Sequence, residues 1–277
     1  MRPELRARRD AFLKLIGTRP LIMGILNVTP DSFSDGGRFL GNEAALAHAR
    51  EMVAVGCDIV DVGAESTRPG ATPVTEAEEL HRIEPILTAL ATVEAPLSID
   101  TSKAAVATRA AALGAVVIND VWGLQYDERM ADTVAQTETA VVVTHNRAEK
   151  DERIDIIADI RRFFDRSLAI AARAGLTPGR IILDPGIGFG KSSRQNRDCI
   201  ARLEELKDYH LPILIGASRK RFLGSLTGDG SEGTLVGTVT VSLVAIDAGA
   251  SIIRVHDVAE HVAALKVFWA LTSSRNP

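Results

Sequence analysis

Short apolar runs recur along the chain, and each is followed by a segment whose apolar residues repeat with helical spacing. The runs are continuous rather than alternating, which is typical of parallel strands buried on both faces. Eight strands are predicted, at residues 21–26, 59–62, 96–99, 115–118, 140–144, 181–183, 213–215 and 251–255. Eight helices are predicted to follow them, at residues 43–55, 76–91, 103–113, 128–137, 154–174, 194–207, 233–248 and 257–271.

Several predicted helices carry boundary signals. Asn42 is placed to cap the first helix, and Thr75 begins a capping box whose third position is Glu78. Glycine also follows three helices directly before a strand, where a left-handed cap is common, at Gly114, Gly175 and Gly249. These signals support the strand–helix alternation.

Eight strand–helix units in one chain of this length favour a (β/α)8 TIM barrel, an α/β fold. A doubly wound parallel sheet is the alternative, although nothing marks a second half. No segment rich in Pro, Gly or Ser divides the chain. We therefore expect a single domain, with a short N-terminal extension over residues 1–19 and the barrel over residues 20–277.

Composition excludes several classes of function. The net charge of −4 gives no electrostatic footprint for nucleic acid, and no apolar run is long enough for a membrane span. The basic first residues lack the apolar stretch of a secretory signal. Cys57 and Cys199 have no metal-binding spacing, and two isolated, reduced thiols suit a cytoplasmic protein.

Polar residues follow nearly every predicted strand. A single Asp or Asn there is most often a turn or cap residue, but barrel active sites gather at this end of the strands. The residues are Asn27, Asp61, Glu65, Asp100, Asn119, His145, Asp184, Ser218, Lys220, Arg254 and His256. Asp100, Asn119, Asp184 and Lys220 suit a planar heterocycle with a guanidine-like edge. The positive corner at Arg254 and His256 suits phosphate, so we expect a phosphorylated heterocyclic substrate.

Three loops have functional character. LDPGIGFGK (183–191) has Pro185 where a P-loop needs glycine, and its glycines are too closely spaced for a dinucleotide fingerprint. Its Lys191 is expected to be a solvated loop residue. The loops after the first two strands, NVTPDSFSDGGRF and GAESTRPGATPV, are long enough to be active-site lids.

Seven segments together resemble the dihydropteroate synthases, the sulfonamide targets of folate biosynthesis. They are MGILNVTPDSFSDGG (23–37), DVGAESTRPGA (61–71), SIDTSK (98–103), INDVWG (118–123), LDPGIGFGK (183–191), GASRKRFLG (216–224) and IIRVHDV (252–258). They occur in the family's order and span almost the whole barrel.

The resemblance implies condensation of 7,8-dihydropterin-6-ylmethyl diphosphate with 4-aminobenzoate, with release of diphosphate. It assigns catalysis to Asp35, Lys220 and Arg254, and it places Mg²⁺ at Asn27. The pterin would be held by Asp100, Asn119, Asp184 and Lys220, and bordered by Phe189, Gly216 and Arg254. Arg254 and His256 would lie near the diphosphate. Loop residues Phe33, Asp35, Thr67, Arg68 and Pro69 would close over the site, and with Lys220 and Arg221 shape the aminobenzoate pocket. The family also implies a homodimer and competitive inhibition by sulfonamides.

One departure near the site and three rival functions remain. The family's Met-His-Met at the fifth strand is Thr144-His145-Asn146 here, which would remove an apolar contact to the pterin. A pterin-dependent methyltransferase would share the acidic residues but not the STRPG loop. An aldolase forming a Schiff base at Lys220 would need a depressed lysine pKa. A pterin-binding paralogue without turnover is the third rival.

Overall fold

A computed structural model describes residues 1–28, 37–65, 74–228 and 234–272. Eight parallel strands form its centre. They are β1 (Leu21–Asn27), β2 (Ile59–Gly63), β3 (Leu97–Asp100), β4 (Ala115–Asp120), β5 (Ala140–Thr144), β6 (Ile181–Asp184), β7 (Leu214–Ile215) and β8 (Ile252–Val255). All eight predicted strands are present, with ends that differ from the prediction by up to two residues.

The strands follow the order β6-β5-β4-β3-β2-β1-β8-β7, so each lies beside its neighbours in the chain. Between β6 and β7 the ring is completed by a bridge of Leu183 to Ile213. A hydrogen bond from the Leu183 amide to the Pro212 carbonyl, 2.9 Å long, joins the same two strands. The predicted (β/α)8 barrel is therefore confirmed, and the doubly wound sheet is wrong.

Helices cover the outside of the barrel. In the described part of the chain they are α1 (Pro3–Leu15), α2 (Gly37–Val55), α3 (Glu76–Leu90), α4 (Ala104–Leu113), α5 (Met130–Thr137), α6 (Ile156–Arg173), α7 (Ser193–Ala201), α8 (Arg221–Thr227), α9 (Leu235–Asp247) and α10 (Val258–Thr272). No described helix has the length and apolar character that crossing a membrane requires.

Of the predicted caps at Thr75 and Asn42, the first is confirmed and the second is wrong. Thr75 caps α3, because its hydroxyl accepts from the Glu78 amide at 3.2 Å. The prediction that Asn42 caps the first helix is wrong, since α2 begins at Gly37 and has Asn42 in its interior. The predicted helix 194–207 is divided into α7 and a 3₁₀ segment, Leu203–Tyr209.

The α1 helix covers the amino-terminal end of the barrel. Phe12 is 1% exposed and packs with apolar residues from the barrel interior, including Leu21 and Ile59. At the edge, the Arg6 guanidinium lies 2.6 Å from the Glu138 carboxylate. Because this end is closed by packed side chains, a ligand must enter from the carboxyl ends of the strands.

Candidate active site

Arg254 on β8 joins several strands at the carboxyl end of the barrel. Its Nε donates to Oδ2 of Asp61 at 2.7 Å, and its Nη2 donates to Oδ2 of Asp100 at 2.6 Å. The same Asp61 oxygen accepts from Nδ2 of Asn119 at 3.1 Å. Polar residues of β2, β3, β4 and β8 therefore form one network, which we call the arginine network: Asp61, Asp100, Asn119 and Arg254.

The arginine network leaves acceptor capacity for a ligand. Oδ1 of Asp100 is buried and has no hydrogen-bond partner among the described residues. Burial raises the pKa of Asp100 to about 7, against the opposing effect of the Arg254 charge. A buried acceptor without a donor is costly, so an incoming N–H group would be stabilised here.

Asp184 ends β6 on the opposite arc of the barrel. It is 5% exposed, and its Oδ1 accepts from the Gly186 amide at 2.7 Å. Burial raises its pKa to about 6, against the positive charges of Lys191, Lys220 and Arg254. A Cβ added at Gly216 would lie 3.9 Å from Oδ2 of Asp184 and 3.8 Å from Cβ of Arg254. Glycine at 216 therefore leaves open the space between the two charged residues.

The glycine loop, residues 185–191, turns back over Asp184. Gly186 has φ +69°, and a Cβ there would lie 1.9 Å from the carbonyl oxygen of His145, so this position requires glycine. Phe189 is half-buried, and Nζ of Lys220 lies 4.4 Å from its ring centroid, in cation–π range. Asp184, Phe189 and Lys220 are thus brought together as the sequence predicted.

A second polar corner lies at the ends of β7, β8 and β1. Ser218 Oγ is 2.9 Å from Nδ1 of His256 and accepts from the His256 amide at 3.2 Å. Asn27 ends β1 with an exposed side chain, and its Oδ1 lies 3.7 Å from the position of a Cβ on Gly63. Arg221, the first residue of α8, is also exposed.

The prediction that Lys191 is solvated is wrong. The residue is 2% exposed, and its ammonium group lies 2.7 Å from Nδ1 of His145. His261 in α10 is also buried, at 2% exposure. Thr144 is 1% exposed, and its hydroxyl has no partner among the described residues.

The base of the second long loop is held by an ion cluster that sequence reasoning missed. Oε1 of Glu65 accepts from the Val74 amide at 3.0 Å, which joins the two ends of the loop. Lys103 pairs with Glu65 and, at 2.6 Å, with the buried Glu79. The SIDTSK segment contains Lys103, but nothing in the sequence pairs that lysine with two glutamates on other elements.

Five of the predicted site residues lie outside the described residues, and their roles stay predictions. They are Phe33, Asp35, Thr67, Arg68 and Pro69.

Residues 23–256 match the profile of a protein family described as pterin binding enzyme. A dihydropteroate synthase of Clostridium beijerinckii is 44% identical over 254 residues, which cover 91% of this chain and 94% of the relative. The crystal structure of a Clostridium difficile dihydropteroate synthase with pteroic acid is 43% identical, with a TM-score of 0.88 over 92% of this chain and 98% of that one. A Xanthomonas albilineans dihydropteroate synthase with 4-aminobenzoic acid is 42% identical, with a TM-score of 0.86 over 92% and 94%.

Proposed function

Since this chain belongs to the family of pterin binding enzymes, we propose that it catalyses the dihydropteroate synthase reaction. It condenses 7,8-dihydropterin-6-ylmethyl diphosphate with 4-aminobenzoate to give 7,8-dihydropteroate and diphosphate. The resemblance in sequence and structure extends over about nine-tenths of the chain. The single observation that carries the proposal is the pair of buried carboxylates, Asp100 and Asp184, which lie with Arg254 at the carboxyl ends of the strands.

The two carboxylates and Asn119 are suited to the edge of a pterin. Oδ1 of Asp100 has no partner among the described residues, and Oδ2 of Asp184 faces the space left open at Gly216. Ionised carboxylates accept from N–H groups of a guanidine-like edge in strong, charge-assisted hydrogen bonds. The Lys220 side chain lies over the Phe189 ring, and its charge acts on Asp184.

Arg254 and His256 serve the diphosphate in this proposal. A guanidinium stays charged at every relevant pH, and Ser218 fixes the orientation of the His256 ring. The described residues contain no group of three or more His, Cys, Asp or Glu side chains placed to hold a metal ion. Mg²⁺ commonly binds substrate phosphates together with one or two protein oxygens. Asn27 would supply such an oxygen, and the bound ion would neutralise charge on the leaving diphosphate.

The substitution is dissociative. The bond between the pterin methylene carbon and the diphosphate oxygen breaks, and the electron pair leaves with diphosphate, stabilised by Arg254 and His256. The resulting methylene cation is conjugated with the electron-rich pterin. Asp35 stabilises that cation, and the two long loops exclude water that would otherwise capture it. The amine of 4-aminobenzoate then bonds to the methylene carbon and releases a proton, which needs no dedicated strong base.

Product formation tests this function. The chain is incubated with the pterin diphosphate, Mg²⁺ and labelled 4-aminobenzoate, and we expect labelled dihydropteroate together with one equivalent of diphosphate. Saturable pterin binding without product would instead support a pterin-binding protein without turnover. Sulfonamides should raise the KM for 4-aminobenzoate without lowering kcat.

The assembly we propose is a homodimer through α9 and α10, which pack together. Both helices carry exposed apolar side chains, including Val236 at 74%, Val267 at 61% and Leu271 at 66% exposure. An apolar patch of this kind marks an interaction site. Light scattering should give twice the chain mass for the wild type and a single chain mass for a Val236→Asp, Val267→Asp variant. A monomeric wild type would contradict the proposal.

We place this dimer in the cytoplasm. Cys57 and Cys199 are both free and buried, and burial raises the pKa of each thiol to about 11. Such thiols are inert and suit a reducing compartment.

A further inference from the structure

Lys191 ends the glycine loop, and its side chain turns back beneath it. The ammonium group lies 2.8 Å from the carbonyl oxygen of Gly186 and 3.2 Å from that of Phe189. With Nδ1 of His145 at 2.7 Å and the His145 carbonyl oxygen at 3.4 Å, it has four acceptors for its three N–H donors. A lysine is rarely buried unless its donors are satisfied, and this position satisfies them.

The contact with Lys191 also fixes the protonation state of His145. Nδ1 of His145 must accept from the ammonium group, so the ring proton resides on Nε2, which lies 3.2 Å from Oδ2 of Asp159. Burial and the Lys191 charge lower the pKa of His145 to about 4. The ring is therefore neutral, and it connects the buried lysine to the Asp159 carboxylate, which Arg147 also contacts at 2.7 Å.

The glycine loop is packed tightly against residues 145–147. A Cβ at Gly186 would lie 1.9 Å from the His145 carbonyl oxygen, and one at Gly190 would lie 2.4 Å from that of Arg147. The Gly186 amide donates to Asp184, while the Gly186 carbonyl accepts from Lys191. Lys191 therefore holds the residue whose amide orients the Asp184 carboxylate.

We propose that Lys191 is a positioning residue for Asp184: it fixes the glycine loop that orients this carboxylate, and its positive charge favours the ionised form of the carboxylate that binds the pterin. The inference rests on the proposed function, because Asp184 has this role only in a pterin site. Lys191 would not touch the substrate.

Other titratable groups face Lys191 and Asp184. Asp184, Asp159, Cys199 and Arg147 face the Lys191 ammonium, which burial brings to a pKa of about 8. Lys220 and Arg254 face Asp184 as well and also lower its pKa. Removal of Lys191 should therefore raise the pKa of Asp184 without abolishing its ionisation.

The test compares Lys191→Met with the wild type and with Lys207→Met, which removes an exposed lysine from the 3₁₀ segment before β7. Calorimetry measures the affinity for 6-hydroxymethyl-7,8-dihydropterin, which lacks the diphosphate, at a series of pH values from about 5 to about 8. Wild-type affinity should fall as the pH drops through about 6, the pKa of Asp184. Lys191→Met should bind about tenfold more weakly at neutral pH, as expected when charged hydrogen bonds are lost, and its acid midpoint should move to higher pH.

Two results of the Lys191→Met measurement would contradict the proposal. Affinity within about twofold of the wild type, or a uniform loss with an unchanged acid midpoint, would overturn the proposal, since a purely structural role does not move the midpoint. If Lys191→Met does not fold, Lys191→Gln is measured by the same criteria. Lys207→Met should match the wild type throughout. A wild type that binds no pterin at any pH would overturn the proposed function itself, and this inference with it.

Discussion

Two arcs of the barrel mouth bury a carboxylate in different ways. On the arginine side, Asp61 and Asp100 pair directly with Arg254, at 2.7 and 2.6 Å. On the β5–β6 side, Asp184 accepts from the Gly186 amide. The Lys191 ammonium group lies beneath the same loop and donates to the Gly186 carbonyl. The first arc depends on one ion network, and the second depends on the shape of a loop. We therefore expect the two arcs to respond differently to substitution.

Arg254→Met should have the largest effect. It leaves Asp61 and Asp100 buried without their cation, and breaking a buried ion network costs roughly 3–5 kcal/mol of unfolding free energy. Urea denaturation measures this loss, and turnover should fall by about a hundred- to a thousandfold, since the diphosphate loses its guanidinium. The matched control is Arg219→Met, whose half-exposed pair with Asp257 should contribute less than about 1 kcal/mol. Equal losses in the two variants would remove the distinction between the network and a surface ion pair.

Asp184→Asn should weaken pterin binding more than it weakens the fold. Asparagine keeps an oxygen for the Gly186 amide but gives up the charge that strengthens hydrogen bonds to the pterin. We expect a loss of roughly 1.5–3 kcal/mol in binding free energy, measured by calorimetry with the dihydropterin. Wild-type affinity in this variant would show that the charge of Asp184 is not used in recognition.

The stability of Asp184→Asn relative to the wild type should depend on pH. Burial raises the folded-state pKa of Asp184 to about 6, so the folded state retains a proton that the unfolded state loses near pH 4. The wild type therefore loses stability through this group as the pH rises from about 4 to above 6, and asparagine does not. The free energy of unfolding of the variant minus that of the wild type should therefore be larger at pH 7.5 than at pH 4.5. A difference that is constant with pH would contradict the raised pKa.

Thr144→Val should have the smallest effect. The Thr144 hydroxyl is buried without a partner among the described residues, so its replacement by a methyl group should change the unfolding free energy by no more than about 1 kcal/mol, toward greater stability. A thermal melt measures the change. A loss of several kcal/mol would mean that the hydroxyl makes a contact that the β5–β6 arc requires.

Much of the fold could be predicted because the strands are continuous apolar runs that only a sheet buried on both faces explains. Strand ends were less certain, since polar residues such as Asn119 and Asp120 continue β4 beyond its apolar part. The start of α2 was missed because Gly37 lies in a turn-like stretch that gives no helix signal. The α1 helix was not predicted, although Phe12 anchors it in the barrel.

The site was predictable at the residues that end strands, because those positions share one end of a parallel barrel. The partners were not predictable. Arg254 on β8 lies far along the chain from Asp61 on β2, and only the closure of the barrel brings them together. Lys191 looked solvated because it follows three glycines. Its burial depends on acceptors from His145 and from its own loop, which no sequence spacing reveals.

In the proposed site, Asp100 and Asp184 bind the pterin edge together. The decisive measurement is a crystal structure with the pterin diphosphate and Mg²⁺. We predict pterin N–H groups within about 3 Å of Oδ1 of Asp100 and of the Asp184 carboxylate, with the diphosphate directed toward Arg254 and His256. A pterin bound elsewhere, with Oδ1 of Asp100 still lacking a donor, would contradict the claim.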